Sequence, residues 1–223
     1  MFFGLDFSLV HWDEVFEATV DTMSMLGFSM LFTVIIGLPL GVILFLASKG
    51  NGATSTIGYS MLSLIVNVLR SVPFVILMIA IIPLTRMLVG TSVGVEGTIP
   101  PLVLAAAPFF ARLVETSLRE VDRGVIEAAQ AMGATTWQIV RKVLLPEAMP
   151  GLIAGTTITA VTLVSYTAMS GLIGGGGLGD LAIRYGYHRY EFEVMVVSII
   201  VLVLMVQVLQ WIGDAFVRKY TRK

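Results

Sequence analysis

The chain has 223 residues, 57% of them hydrophobic and only 13% charged, with a mean hydropathy of +0.91. An ordinary soluble domain is roughly 45–50% apolar and about 25% charged, so water is not the main solvent here, which disfavours a cytosolic enzyme, a nucleic-acid binder and a disordered linker. A net charge of −1 gives no electrostatic footprint for nucleic acid, and the lack of cysteine excludes disulfides, a thiolate nucleophile and a Cys-based zinc site.

Residues 1–21 form an N-terminal arm. They carry no Lys or Arg and five acids, Asp6, Asp13, Glu14, Glu17 and Asp21, so they do not read as a signal peptide, which needs cations before its apolar stretch. A membrane helix needs about 20 mostly apolar residues, and five stretches qualify. The first, 22–48, is overlong and holds Pro39, so tilt or a kink is expected. The second, 57–84, is interrupted by Asn67, Arg70 and Pro73. The third, 99–118, loses its uncharged run at Ala111, which leaves a re-entrant segment as the alternative. The fourth is 152–172 and the fifth is 194–212. No fixed-period repeat or low-complexity linker appears, so 22–223 reads as one membrane domain.

The cations fall mainly on one side of this arrangement. Lys49, Arg112, Arg119, Arg123, Arg141, Lys142, Arg218, Lys219, Arg222 and Lys223 group together, against Arg86, Arg184 and Arg189 opposite. By the positive-inside rule the C-terminus is cytoplasmic and, with five spans, the N-terminus is outside.

Within the spans, Arg70 is the costliest residue, since an arginine at a helix centre opposes insertion by roughly 2.5–3.5 kcal/mol. It must face a partner or a wet cavity. Asn67 and Ser71 flank it, and Pro73 frees the carbonyl of Leu69. One reading makes Arg70 a cavity-lining cation near a substrate carboxylate. The other makes it a structural arginine bonded to carbonyls of a broken helix. The fourth span carries Thr156, Thr157, Thr159, Thr162, Ser165, Tyr166, Thr167 and Ser170. These hydroxyls line a pathway or serve helix packing, and Met169 among them suits a thioether-bearing substrate.

Gly37–Gly41 and Gly151–Gly155 are G-x-x-x-G runs and read as close helix packing. Gly174, Gly176 and Gly179 match G-x-G-x-x-G, but they follow a membrane helix rather than a strand, so a flexible outer loop is expected instead of a dinucleotide site. No phosphate-binding G-x-x-x-x-G-K-[ST] is present. His11 and His188 are the only histidines, with no ligand-spaced partners and no catalytic constellation, so neither a metal site nor a catalytic residue is assigned. His188, beside Tyr187, Arg189 and Tyr190, reads as an interfacial or binding-protein contact.

The segment 119–151 between the third and fourth spans predicts two short helices. Asp122 caps the first and Gly133 ends it; Thr135 or Thr136 caps the second and Pro146 stops it. Ala128, Ala129, Ala131 and Gly133 leave the corner nearly bare of side chains, so another protein can approach its backbone, and Glu127 adds one charge for register. The alternative is an amphipathic helix in the headgroup layer, with Val140, Val143, Leu144 and Leu145 in lipid and Arg141 and Lys142 at phosphates.

Glu127-Ala128-Ala129, then Gly133 after three intervening residues, then Val143-Leu144-Leu145-Pro146 after nine more, resemble the EAA loop of ABC-importer permeases, with Val143 where that family usually has Ile. The likeness is nearest to the methionine-importer permeases and spans Asn67–Phe74, Ile82–Arg86, Val89–Gly94, Ala106–Phe109 and Gly174–Gly179, leaving out the arm. It implies the type I ABC-importer permease architecture, an all-α polytopic homodimer with five transmembrane helices per subunit in the bacterial inner membrane. It further implies two cytoplasmic ABC ATPase subunits and an extracytoplasmic substrate-binding protein as partners. ATP and Mg would be held by the ATPase, with no cofactor on this chain. Carried over residue by residue, Glu127, Ala128, Ala129, Gly133 and Pro146 are the ATPase-coupling positions. The reading of the spans offers Asn67, Arg70, Ser71, Ser165, Tyr166, Met169 and Ser170 for the translocation path. The expected function is inward movement of methionine, or a related small amino acid, by alternating access. The alternatives are an uncoupled channel or facilitator, and an ABC permease for a different small amino acid.

Overall fold

A computed structural model describes residues 10–49 and 53–221. Asp6 of the arm and the tail cations Arg222 and Lys223 lie outside the described residues. The described chain is helical throughout its long elements, in the order α1 Trp12–Lys49, α2 Ala53–Ser71, α3 Phe74–Ala80, α4 Ile82–Val89, α5 Gly94–Arg119, α6 Arg123–Ala131, α7 Thr136–Ile139, α8 Leu145–Glu147, α9 Met149–Ser170, α10 Gly177–Leu181 and α11 Phe192–Thr221.

Helix α1 starts ten residues before the first apolar stretch, so residues 12–21 of the arm are already helical. Asp13 and Glu14 in its first turn suit the positive end of the helix dipole, and Pro39 is accommodated inside it. The second stretch does not form one helix. Pro73 lacks a backbone N–H, its ring crowds the carbonyl of Leu69, and it pushes Val72 off the helical conformation. Helix α2 therefore ends at Ser71 and α3 begins at Phe74, with a bend of 101° at the break. Helix α4 then closes on Gly90 at φ +81°. The third stretch runs without interruption as the 26-residue α5, past Ala111 to Arg119. At 1.5 Å per residue it is about 39 Å long, enough to cross the roughly 30 Å hydrocarbon layer. Among the described residues four helices are long and apolar enough to cross a membrane, or five when the broken α2–α3 pair counts as one span.

The chain divides into two compact units. The first comprises Met1–Phe32, Val72–Ala105 and Ala160–Gln210, and the second Thr33–Ser71, Ala106–Thr159 and Trp211–Lys223. In the second unit, both G-x-x-x-G runs lie against α5. A Cβ on Gly41 would stand 2.5 Å from the Val114 Cβ and 2.6 Å from the Ala111 carbonyl, and Gly37 meets Ala107 and Phe110 in the same way. Gly151 lies against Ser117 and Gly155 against Leu113. Because lipid is as apolar as leucine, this close approach and its dispersion contacts hold the helices together, rather than transfer out of water. Phe110, Val114 and Leu118 of α5 continue the cluster to Ala129, Ile139, Val140 and Leu144 of segment 119–151.

In the first unit, Val15 and Ala18 of α1 pack with Leu178, Leu181, Val194 and Val197. The glycine-rich segment 174–179 is not a free outer loop. Gly175, Gly177 and Gly179 are buried, and φ is +74°, +79° and +76° at Gly174, Gly176 and Gly177. Gly177 meets Thr22, Gly175 meets Ser170 and Thr98, and Gly179 meets the backbone of Ala168. The Leu178 N–H donates to Thr22 Oγ1 at 2.9 Å, and the Gly94 N–H donates to the Gly174 carbonyl at 2.9 Å. No side chain fits at Gly175, Gly177 or Gly179, while at Gly174 and Gly176 the positive φ favours glycine.

Candidate coupling surface and translocation residues

Segment 119–151 builds its corner by capping. The Asp122 carboxylate accepts from the Gly124 N–H at 2.7 Å and starts α6. At the other end Gly133 takes φ +79°, its N–H donates to the Gln130 carbonyl, and the Ala134 N–H donates to the Ala129 carbonyl. This is a Schellman closure, which satisfies carbonyls that a helix end leaves open. Thr135 then opens α7 with a reciprocal capping box: its hydroxyl accepts from the Gln138 N–H while the Gln138 side chain accepts from the Thr135 N–H.

Pro146 does not stop the second helix. The backbone widens into a π turn over Val140–Leu144, where the Leu145 N–H donates to the Val140 carbonyl, and resumes as α8 with Pro146 in its first turn. The wider turn absorbs the missing N–H and the ring clash that a proline brings to an α-helix. Val140 and Leu144 are buried in the core, with Val143 and Leu145 packed on it, so this face is closed by the chain itself and is not a lipid-facing stripe.

Of the coupling candidates, Glu127, Ala128, Gly133 and Pro146 are exposed. Ala129 faces inward and is buried at 5%. Two large apolar side chains that the sequence reading passed over stand out from the same corner, Met132 at 82% exposure and Trp137 at 68%. Nothing in their spacing marks them in the sequence; they stand out only through their exposure beside the bare corner.

The translocation candidates fall in both units. In the second unit, Asn67, Arg70 and Ser71 are exposed on α2. Ser71 Oγ donates to the Asn67 carbonyl at 2.8 Å, and the Arg70 guanidinium lies 5.6 Å from the Phe109 ring centre. In the first unit, Tyr166 stacks on Phe74 with ring centres 4.5 Å apart and planes 5° from parallel. Met169 is exposed at 42%, and Ser165 is exposed beside a 260 Å³ groove shared with Gln207. Ser170 does not face an open path: it is fully buried, with its hydroxyl donated to the Thr167 carbonyl at 2.7 Å.

The largest omission of the sequence reading is Glu115, a carboxylate only 2% exposed near the end of α5. Arg112 and Arg119 each reach it at 2.6 Å, and the Tyr59 hydroxyl donates to it at 3.1 Å. Arg112 also donates to Ser63 Oγ at 2.8 Å and to Asn67 Oδ1 at 2.9 Å. Arg112 therefore need not extend to the membrane surface, and α5 continues past it. The signal was the spacing: Arg112, Glu115 and Arg119 share one face of a helix, as do Tyr59, Ser63 and Asn67.

Residues 37–222 match the family described as binding-protein-dependent transport system inner membrane component. The chain is 50% identical over 207 residues to the probable D-methionine transport system permease protein MetI of Vibrio cholerae, covering 93% of this chain and 92% of that protein. It is 47% identical to the methionine import system permease protein MetP of Bacillus subtilis over 208 residues, 93% of this chain and 94% of that protein. A solved inward-facing structure of the MetNI methionine ABC transporter, in its native crystal form, superposes with a TM-score of 0.91 at 46% identity, over 94% of this chain and 97% of that one. The all-helical architecture agrees with these likenesses, and this chain belongs to the inner-membrane components of binding-protein-dependent transport systems.

Proposed function

We propose that this chain is the permease subunit of an ATP-driven ABC importer that moves methionine, or a closely related small amino acid, into the cell. The observation that carries the reading is the bare corner at Gly133, where Glu127 and Ala128 are exposed and Met132 and Trp137 stand uncovered beside them. A surface of small residues flanked by two apolar anchors suits insertion into a groove of another protein. The occupant is a cytoplasmic ABC ATPase subunit, one for each of two permease copies. ATP and Mg are held there, and this chain carries no cofactor. An extracytoplasmic binding protein delivers the substrate on the opposite face.

The orientation places the C-terminus and segment 119–151 in the cytoplasm, in line with the cation bias. Translocation proceeds by alternating access in a homodimer. A ligand drives such a switch only through different affinities for its two states. Here the driving ligand is ATP on the partner, and the corner passes the partner's movement to α5 and α9, between which it is folded. Within its own unit, the α2 group Asn67, Arg70 and Ser71 offers polar and cationic groups of the kind a carboxylate needs; within the other, Ser165, Tyr166 and Met169 on α9 offer polar and soft groups of the kind a thioether needs. Phe74 fixes the Tyr166 ring.

Purification of the tagged chain from its native membrane tests the reading. The expected result is co-elution of an ABC ATPase, with Glu127→Arg abolishing both co-elution and uptake by reversing the charge at the corner and adding bulk there. Absence of any ATPase, together with normal uptake by Glu127→Arg, would establish an uncoupled facilitator instead.

A further inference from the structure

Helix α5 ends at Arg119 and leads through three residues into α6, the first helix of the coupling corner. Its last two turns carry the only fully buried carboxylate among the described residues, Glu115. That carboxylate is not isolated. Arg112, Glu115 and Arg119 occupy one face of α5 at spacings of three and four, and Tyr59, Ser63 and Asn67 occupy one face of α2 at spacings of four. The two faces are joined bond by bond: Tyr59 to Glu115 at 3.1 Å, Arg119 to Tyr59 at 3.1 Å, Arg112 to Ser63 at 2.8 Å and Arg112 to Asn67 at 2.9 Å. One turn beyond Asn67, Arg70 lies over Phe109 of α5.

Two guanidiniums, 20% and 42% exposed, are held together by one carboxylate. Such an arrangement is a poor device for stability alone, because desolvating the carboxylate offsets much of the attraction and apolar side chains of similar volume would serve as well. It is a good device for register. A hydrophobic contact tolerates sliding, whereas a hydrogen-bonded charge network that uses both carboxylate oxygens is directional and holds one register.

We propose that Glu115 is a positioning residue of the transport cycle, which locks α2 to α5 so that a displacement of the coupling corner reaches the Asn67–Arg70 stretch of α2. This rests on the functional reading above. Glu115 touches no substrate; it acts through Arg112 and Arg119. Without its charge the two arginines repel, Arg112 releases Asn67, and α5 moves without carrying α2.

The experiment uses the whole complex with its ATPase subunits in proteoliposomes and measures methionine imported per ATP hydrolysed. Glu115→Gln keeps the side-chain shape and removes the charge. ATPase subunits remain bound and hydrolysis continues, while the import ratio falls about tenfold, the upper part of the range that coupling-network mutations produce. Glu115→Asp, which restores the charge, recovers most of the ratio. Tyr59→Phe removes two bonds and Ser63→Ala one side-chain bond, both leave every charge, and each lowers the ratio about two- to threefold. They decide the matter if Glu115→Gln does not assemble. An unchanged ratio in Tyr59→Phe and Ser63→Ala, or import and hydrolysis falling in parallel in Glu115→Gln, overturns the proposal and leaves Glu115 a packing residue. Wild-type complex that hydrolyses ATP without importing methionine would instead refute the functional reading.

Discussion

Tyr185 shows how one contact fixes the chemistry of a side chain. Its phenol donates to the Glu14 carboxylate at 2.9 Å across 171 residues of chain, and Arg184 and Arg189 lie over its ring at 5.0 and 4.5 Å. The hydrogen bond to Glu14 holds the proton and raises the phenol above its ordinary value of 10.0, with burial adding to the rise and the two arginines opposing it. A folded value above the unfolded one means that this bond stabilises the fold below the phenol's unfolded value and ceases to do so as pH rises through the folded value. Glu14→Gln is expected to bring the titration back toward about 10, read by ultraviolet difference titration against Tyr185→Phe. An unmoved titration would show that Glu14 is not the cause. Glu115 teaches the opposite lesson about legibility. Read as a string, its charge and that of Arg112 appear to end an apolar run. Read on a helical face, the same charges with Arg119 form a matched set that extends the helix, and only the partner face on α2 makes that visible.

At the scale of elements, the local signals were strong where the backbone chemistry is local. Asp122, Gly133 and Thr135 cap the helices that their residue types predict. The prolines were harder, because their effect depends on what surrounds the ring. Pro39 is absorbed within α1, Pro73 breaks the second stretch, and Pro146 is absorbed by a π turn. Glycine spacing predicted close packing at Gly37 and Gly41, but it did not distinguish the packed segment 174–179 from a free loop, since the contacts to Thr22, Thr98 and Ala168 are remote in sequence. Two glycines of α1 give a direct test of packing. Gly41→Ala places a Cβ against Val114 and the Ala111 carbonyl, and such overpacking is expected to cost about 1–3 kcal/mol. Gly27→Ala meets nothing within 4 Å and is expected to be neutral or to gain up to about 1 kcal/mol from helix propensity. Thermal unfolding of the purified protein in detergent checks both, and equal melting temperatures for the two variants would contradict the account.

At the scale of the whole molecule, composition named the solvent and the apolar stretches named the crossings, because both depend only on counts and lengths. The bend between α2 and α3 was not legible from length, since the summed apolar stretch is long enough for one straight helix. The capped geometry of the corner was legible in its residue types, while Met132 and Trp137 became candidates only once their exposure was known. What unites these scales is a capped corner packed on α5, with α5 tied to a polar stretch of α2. The most direct test of the central claim is labelled methionine uptake into proteoliposomes holding the permease, its ATPase subunits and its binding protein. The account predicts accumulation that requires ATP and is suppressed by excess unlabelled methionine. Uptake that proceeds without ATP, or that persists under that excess, would contradict it.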